Sequence, residues 1–259
     1  MRRVLVPPNA LHGEAVILTD PQELHHLLRV LRVKSGDQVE CFDGAGNRFL
    51  GRVSRCRVRE VVVTLERRWQ EPMPVLRVTL AQALIKPDRF EWAVQKATEL
   101  GVDRIVPLMA ARTVVRLRAD EADRKRLRWE RIAREAATQC GRATLPQLDA
   151  PQPFAAFAAG LDASRPALVA TLAVPTRPLH EAWDGSAGSI TIAIGPEGDF
   201  TQDEVRLAQR HGAAAVSLGI YTLRSETAAL AALAMVQYQQ MMRTHTMRTR
   251  KDSGVACHP

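Results

Sequence analysis

Ser189-Ile190-Thr191-Ile192-Ala193-Ile194-Gly195-Pro196-Glu197-Gly198-Asp199-Phe200-Thr201 is the stretch on which the fold turns. Its first six residues form a short run rich in isoleucine, the pattern of a strand buried on both faces. Two glycines and a proline then stop the strand. Thr201 with Glu204 three residues later makes a capping box, which opens a helix over residues 201–210. Strand, glycine loop and capped helix are half of a βαβ unit.

The same alternation extends in both directions. Upstream, residues 75–84 read as a strand, 88–100 as a helix with Phe90, Ala93, Val94 and Ala97 on one face, and 105–108 as a strand. A charged helix over 121–139 and a strand over 167–172 follow. Downstream, 214–218 is a strand, and 225–242 is a helix rich in Ala, Leu and Met around most of its circumference. Such a helix belongs in a core or an interface. Continuous apolar strands separated by helices predict an α/β fold, a mostly parallel sheet covered on both faces.

The first 70 residues have a different texture. Gly36–Phe42, Arg48–Val53 and Val58–Leu65 are short strand-like runs, and Asp43-Gly44-Ala45-Gly46-Asn47 is a turn between the first two. Only Pro21–Val33 carries helical spacing, through Leu24, Leu27, Leu28 and Leu31. A small β-barrel is expected over 1–70, and the prolines of Gln70-Glu71-Pro72-Met73-Pro74 mark a linker. The second domain then spans 75–245, and 246–259 forms a basic tail whose run from Arg243 to Lys251 holds no acidic residue.

Composition narrows the function. Of 259 residues, 46% are apolar and 25% charged, as in ordinary globular proteins. No apolar run reaches the roughly 18 residues of a membrane span, and the N-terminal apolar stretch is too short for a signal peptide. A cytoplasmic protein without membrane contact is expected. Lys and Arg number 36 against 28 Asp and Glu, a net charge of +8 that favours a polyanionic partner, nucleic acid first. Cys41, Cys56, Cys140 and Cys257 are too scattered for a zinc site or a disulfide framework, so no metal is expected. There is no P-loop, no dinucleotide fingerprint, no nucleophile elbow and no H-E-x-x-H.

Two loops remain as the candidate site. One is Gly195–Phe200. The other is Leu218-Gly219-Ile220-Tyr221-Thr222-Leu223-Arg224-Ser225-Glu226-Thr227. In a parallel sheet both lie at the carboxyl ends of strands, where such folds hold ligands.

Gly-Pro-Glu-Gly after a strand, then Leu-Gly-x-x-x-Leu-Arg-x-Glu-Thr-Ala before a last helix, resembles the SPOUT-class RNA methyltransferases, and more narrowly the RsmE family. His25–Arg32 with Gly36-Asp37, Gln82–Lys86, Gln95–Val102, Arg112 and Gln139-Cys140-Gly141-Arg142 extend the resemblance over roughly residues 1–242. The resemblance implies a PUA-like barrel, a second domain with a deep trefoil knot, and a homodimer with active sites near the subunit interface. It implies methylation of N3 of a uridine in the 16S rRNA of the small ribosomal subunit, with S-adenosylmethionine as cofactor. The cofactor falls against Thr171, Leu172, Ile194, Gly195, Glu197, Gly198, Leu218, Gly219, Ile220 and Leu223. Arg224 is expected to hold a phosphate or the charge of a deprotonated uracil, or else an interface ion pair. Glu226 is expected to sit near the reacting groups, as base or by favouring the sulfonium, or else to cap its own helix. RNA contacts are expected from Arg2, Arg3, Arg29, Arg32, Lys86, Arg89, Arg112, Arg116 and Arg142, with Arg29 and Arg32 on one helix face.

The chain departs from the family pattern twice. Asp199 stands where a second glycine is usual, which questions the conformation of that loop, and Tyr221 stands where an arginine is common. A non-catalytic rRNA-binding assembly factor, or a related enzyme acting on another RNA, would share the basic surface, but an assembly factor needs no small-ligand pocket.

Overall fold

The two textures fold as two units. The computed structural model describes residues 2–115 and 117–252. Met1–Pro74 with Arg134–Leu145 form one unit, and Val75–Ala133 with Pro146–Pro259 the other. The first segment of the first unit ends at Pro74, within the stretch Gln70–Pro74. Arg134–Leu145, which the sequence reading assigned to the second domain, belongs with the first.

The first unit carries β1 (Arg2–Leu5), β2 (Leu11–His12), β3 (Ala15–Leu18), α1 (Pro21–His25), β4 (Gln38–Phe42), β5 (Asn47–Arg57) and β6 (Glu60–Gln70). Its strands run β1-β4-β5-β6-β3-β2, all antiparallel except β1 beside β4. Val4, Val16, Leu27, Val39, Phe49 and Val63 share one core. The glycine turn closes the β4–β5 hairpin, with Asp43 Oδ1 accepting from the amides of Ala45 and Asn47.

The leucine-rich helix is shorter than its spacing suggests. It passes from α1 into a π turn over His26–Val30 and stops. Arg32 lies beyond it with φ 51°, so Arg29 and Arg32 do not share a helix face. The segment Arg134–Leu145 joins this unit through local bonds. Gly46 donates to the Ala143 carbonyl, Leu145 to the Gly44 carbonyl, and Ala143 to Glu71 Oε2 at 2.9 Å.

The second unit carries β7 (Arg77–Ala83), α2 (Pro87–Glu99), β8 (Arg104–Met109), α3 (Ala119–Cys140, whose last turns belong to the first unit), β9 (Gln147–Leu148), β10 (Gln152–Pro153), α4 (Phe154–Ala159), β11 (Ala167–Ala170), β12 (Arg177–Pro178), α5 (Leu179–Ala182), β13 (Ser189–Ile194), α6 (Gln202–Arg210), β14 (Ala213–Ser217) and α7 (Ser225–Asp252). The sheet order is β10-β8-β7-β13-β11-β14-β12, with β9 also on β8, and every pairing is parallel.

Alternation along each strand splits the core in two. Val78, Leu80, Ile105, Leu168, Ile190, Ile192 and Val216 face α2, α3, α5 and α7, while Ala81, Ala83, Val106, Val169, Ala193 and Ala215 face α4 and α6. The smaller side chains of the second face let Phe154, Phe157 and Phe200 pack there.

Helix α7 is not buried on all sides. Ala229, Ala232, Leu233 and Val236 enter the core, whereas Met235, Tyr238, Met241 and Met242 are exposed. It also runs on to Asp252, through the stretch read as a tail, and residues 253–259 lie outside the described residues.

Candidate functional site

Three strand ends meet at one level on the carboxyl edge of the parallel sheet. β11 lies between β13 and β14, and Ala170 is in register with both Ile194 and Val216. The chain therefore leaves all three strands together, as Thr171-Leu172, Gly195–Phe200 and Leu218–Arg224. Adjacent strands are separated by only about 5 Å, so the three exits wall a single cleft.

That cleft is a cavity of about 300 Å³, at the lower end of the range for small-ligand sites. Of the ten residues assigned to the cofactor, Thr171, Leu172, Ile194, Gly195, Glu197, Leu218, Gly219 and Leu223 line it, and so does Arg224. Gly198 and Ile220 do not. Gly198 packs against the Arg112 side chain and Ile220 points outward, 91% exposed. Pro196, Asp199, Tyr221, Thr222 and Ser225 of the two candidate loops also line it, and Ala170, Val216, Ser217 and Ala228, which no cofactor assignment included, complete the wall from the neighbouring strands and helix.

Local chemistry fixes each wall. The Gly195 loop turns through a bond from the Asp199 amide to the Pro196 carbonyl at 2.9 Å, and Thr201 then caps α6. The capping box is complete: Glu204 N donates to Thr201 Oγ1, and Thr201 N to Glu204 Oε2 at 2.8 Å. Asp199 adopts φ 61°, a left-handed conformation that Asp reaches more readily than most residues, so the loop keeps the turn that a glycine would give. The start of α7 is tied to the same loop. Gln82 Nε2 donates to Ser225 Oγ at 2.8 Å, and Ser225 Oγ donates to the Gly195 carbonyl. This buried chain spans β7, α7 and the loop after β13. Gly219, at φ 143°, has open space where a Cβ would be.

The cavity is lined by the apolar residues Ala170, Leu172, Ile194, Val216, Leu218 and Leu223 together with acidic Glu197 and Asp199 and basic Arg224. Glu197 is exposed and Asp199 half-buried. Arg224 is exposed at the opposite loop and has no ion-pair partner among the described residues.

Glu226 is elsewhere. It is buried, off the cavity wall, with Oε1 3.7 Å from Arg89 Nε and Oε2 without a partner. Of the two residues expected at the reacting groups, Arg224 lines the cavity and Glu226 does not.

The arginines expected to meet RNA divide by their partners. In the first unit, Arg2 pairs with Asp37, Arg3 Nε with Glu40 at 3.1 Å, and Arg142 Nε donates to Thr144 Oγ1 at 2.9 Å. Arg29 and Arg32 are exposed. In the second unit, Lys86 is exposed at the start of α2, Arg89 faces Glu226, and Arg112 Nη1 donates to the Gly198 carbonyl at 2.8 Å. Arg116 lies outside the described residues. The described residues contain no three-member cluster of His, Cys, Asp or Glu fit for a metal, and no helix is long and apolar enough to cross a membrane.

Known proteins share both the sequence and the fold. The RNA methyltransferase domain matches residues 71–237, and the RNA methyltransferase PUA domain matches 18–59. Ribosomal RNA small subunit methyltransferase E of Bacillus subtilis (strain 168) is 33% identical over 84% of this chain and 88% of its own. The Synechocystis protein of the same name is 34% identical over 90% and 76%. A crystal structure of ribosomal RNA small subunit methyltransferase E from Neisseria gonorrhoeae, bound to S-adenosyl methionine, superposes with a TM-score of 0.83 at 30% identity, covering 92% of this chain and 97% of that one.

Proposed function

The chain belongs to the ribosomal RNA small subunit methyltransferase E family, and from that premise we propose that it transfers a methyl group from S-adenosylmethionine to N3 of a uridine in 16S rRNA of the small ribosomal subunit. The observation that carries this reading is the cavity at the carboxyl edge of β11, β13 and β14, whose wall is built from the strand-end loops that carry the resemblance. When bound, the cofactor would supply an electrophilic methyl from its sulfonium and leave as S-adenosylhomocysteine, and the N3 proton passes to water.

Main-chain groups of Gly195, Leu218 and Gly219 and the side chains of Ile194 and Leu223 hold the adenosine. Glu197 favours the cationic end. Arg224 stabilises negative charge on the uracil once N3 is deprotonated. The protein's principal contribution is alignment of base and methyl, since a well-oriented pair gains many orders of magnitude over free encounter. Glu226, turned towards Arg89, positions the first turn of α7 and does not take the proton.

The target base must leave its stack to present N3, and exposed Arg29, Arg32 and Lys86 supply phosphate contacts on each unit. The exposed stripe Met235, Tyr238, Met241 and Met242 on α7 is an apolar face of the kind covered in homodimers, and we assign it to the subunit interface. The trefoil knot of the C-terminal segment and a cytoplasmic site of action belong to the same reading.

Calorimetric titration with S-adenosylmethionine and S-adenosylhomocysteine, followed by methyl incorporation into 30S subunits with mapping of the modified atom, tests it. Saturable binding and an N3-methylated uridine are expected, and Glu226→Gln should retain turnover. Absence of binding, with and without 30S subunits, would favour the non-catalytic assembly factor.

A further inference from the structure

We propose that Asp199 is a positioning residue that ties two of the strand-end loops into one preformed wall for the cofactor. The proposal rests on the cofactor reading above and assigns a role to the residue that departs from the family pattern.

One carboxylate saturates three donors from two separate loops. Oδ1 accepts from the Phe200 amide at 2.7 Å. Oδ2 accepts from the Leu172 amide at 2.7 Å and from Thr171 Oγ1 at 2.9 Å. Thr171 Oγ1 in turn accepts from the Ala173 amide at 3.0 Å, and the Thr171 amide reaches the Val216 carbonyl of β14. The exits of β13 and β11 are thus joined through a side chain, and β11 is joined to β14 through its main chain. Bonds to an ionised acceptor are the stronger kind. Thr171, Leu172 and Asp199 all line the cavity.

Space has been left for this arrangement. A Cβ on Gly195 would meet Asp199 Oδ1 at 3.1 Å and Phe200 N at 3.0 Å, so a side chain there would displace the carboxylate. Arg112 holds the same loop from its other side through the Gly198 carbonyl. With glycine at 199 the backbone could turn the same way, but Leu172 N and Thr171 Oγ1 would lose their acceptor. The wall would then be ordered only when the ligand arrived, and ligand binding would bear that ordering cost.

The test compares Asp199→Gly, Asp199→Asn and Thr171→Val with the parent protein. Dissociation constants for S-adenosylmethionine and S-adenosylhomocysteine come from calorimetry, and amide hydrogen exchange is followed at Leu172 and Phe200. Glycine at 199 should speed exchange at Leu172 and weaken both ligands alike, by about tenfold. Asparagine, which keeps the left-handed turn and one acceptor oxygen, should recover part of the loss, and Thr171→Val should fall between. Unchanged constants in Asp199→Gly would overturn the proposal while leaving the cofactor reading intact. A loss confined to S-adenosylmethionine would also overturn it, because that pattern signals direct contact with the sulfonium charge. A parent protein that binds neither ligand, with or without 30S subunits, would overturn both.

Discussion

Arg48→Met probes the buried ion-pair network of the first unit. Arg48 is 14% exposed and reaches Glu40 Oε1 at 2.5 Å, Glu71 Oε1 at 2.6 Å and the carbonyl of Gly141. Burial pulls its guanidinium towards the neutral form, and the bonds from Glu71 and Glu40 outweigh that, holding it charged more firmly than usual. Methionine keeps the stem's volume and deletes the charge. Glu40, only 4% exposed, is then left with Arg3 alone, while Glu71 keeps the Ala143 amide. Breaking a fully buried pair from one side costs about 3–5 kcal/mol. Arg3 and the partial exposure of Glu71 reduce that to about 2–4 kcal/mol, a fall of roughly 8–30 °C in the melting of a unit this size. Calorimetric melting measures the loss, and hydrogen exchange at Gly46, Ala143 and Leu145 locates it. Adding Glu40→Gln removes the stranded charge and should return a large part of the stability. A loss under about 1 kcal/mol, or a double variant less stable than the single one, would refute the reasoning.

Three other perturbations read separate parts of the molecule. Ser225→Ala breaks the chain from Gln82 to the Gly195 carbonyl and should cost about 1–2 kcal/mol in denaturant unfolding while weakening S-adenosylmethionine in calorimetry. Gly51→Ala places a Cβ 2.6 Å from both the Thr64 carbonyl and Val63 Cγ1, beside a register shift in the β5–β6 ladder, and should destabilise by about 2–3 kcal/mol in the same assay. Burial, with Glu40 beside it, pushes the Cys41 thiol up to about 12. Native Cys41 should therefore resist iodoacetamide at pH 8 while exposed Cys140 reacts, as read by mass spectrometry. Because the unfolded thiol ionises first, the folded state holds the extra proton between about pH 9 and 12, and stability falls with rising pH across that window.

Much of the second unit was legible because its signals are local. The isoleucine run of β13 and the Thr201–Glu204 capping box are each written within a few residues, and both stand where expected. The candidate cavity was legible for the same reason, since loops at strand ends in a parallel sheet have one place to go. What escaped the sequence depends on partners far along the chain. Arg48 meets Gly141 across 93 residues, and Asp199 meets Leu172 across 27. No spacing rule encodes either bond. The leucine repeat at Leu24–Leu31 overstated its helix because side-chain periodicity does not report the backbone of Arg32, which leaves at positive φ. Helices α4 and α5, of six and four residues, are too short to show a period. The exposed stripe on α7 was hidden by composition, since methionine and tyrosine read as apolar whichever way they face.

The first unit is discontinuous along the chain, and this bears on how the protein is made. Translation delivers residues in order, yet Ala143 and Leu145, which pack with Leu5 and Phe42, arrive long after the strands they join. The six-stranded sheet can assemble early, but Glu71 and the Gly44 turn wait for their partners until some 145 residues have been synthesised. Closing a span of about 60 residues costs on the order of 4 kcal/mol in chain entropy, unless folding of the intervening segment shortens it. A nascent chain should therefore gain its last increment of protection in the amino-terminal strands only after residues 75–145 have been made. A fragment ending at the proline linker would stay at that earlier stage, with Glu71 and Arg48 facing water.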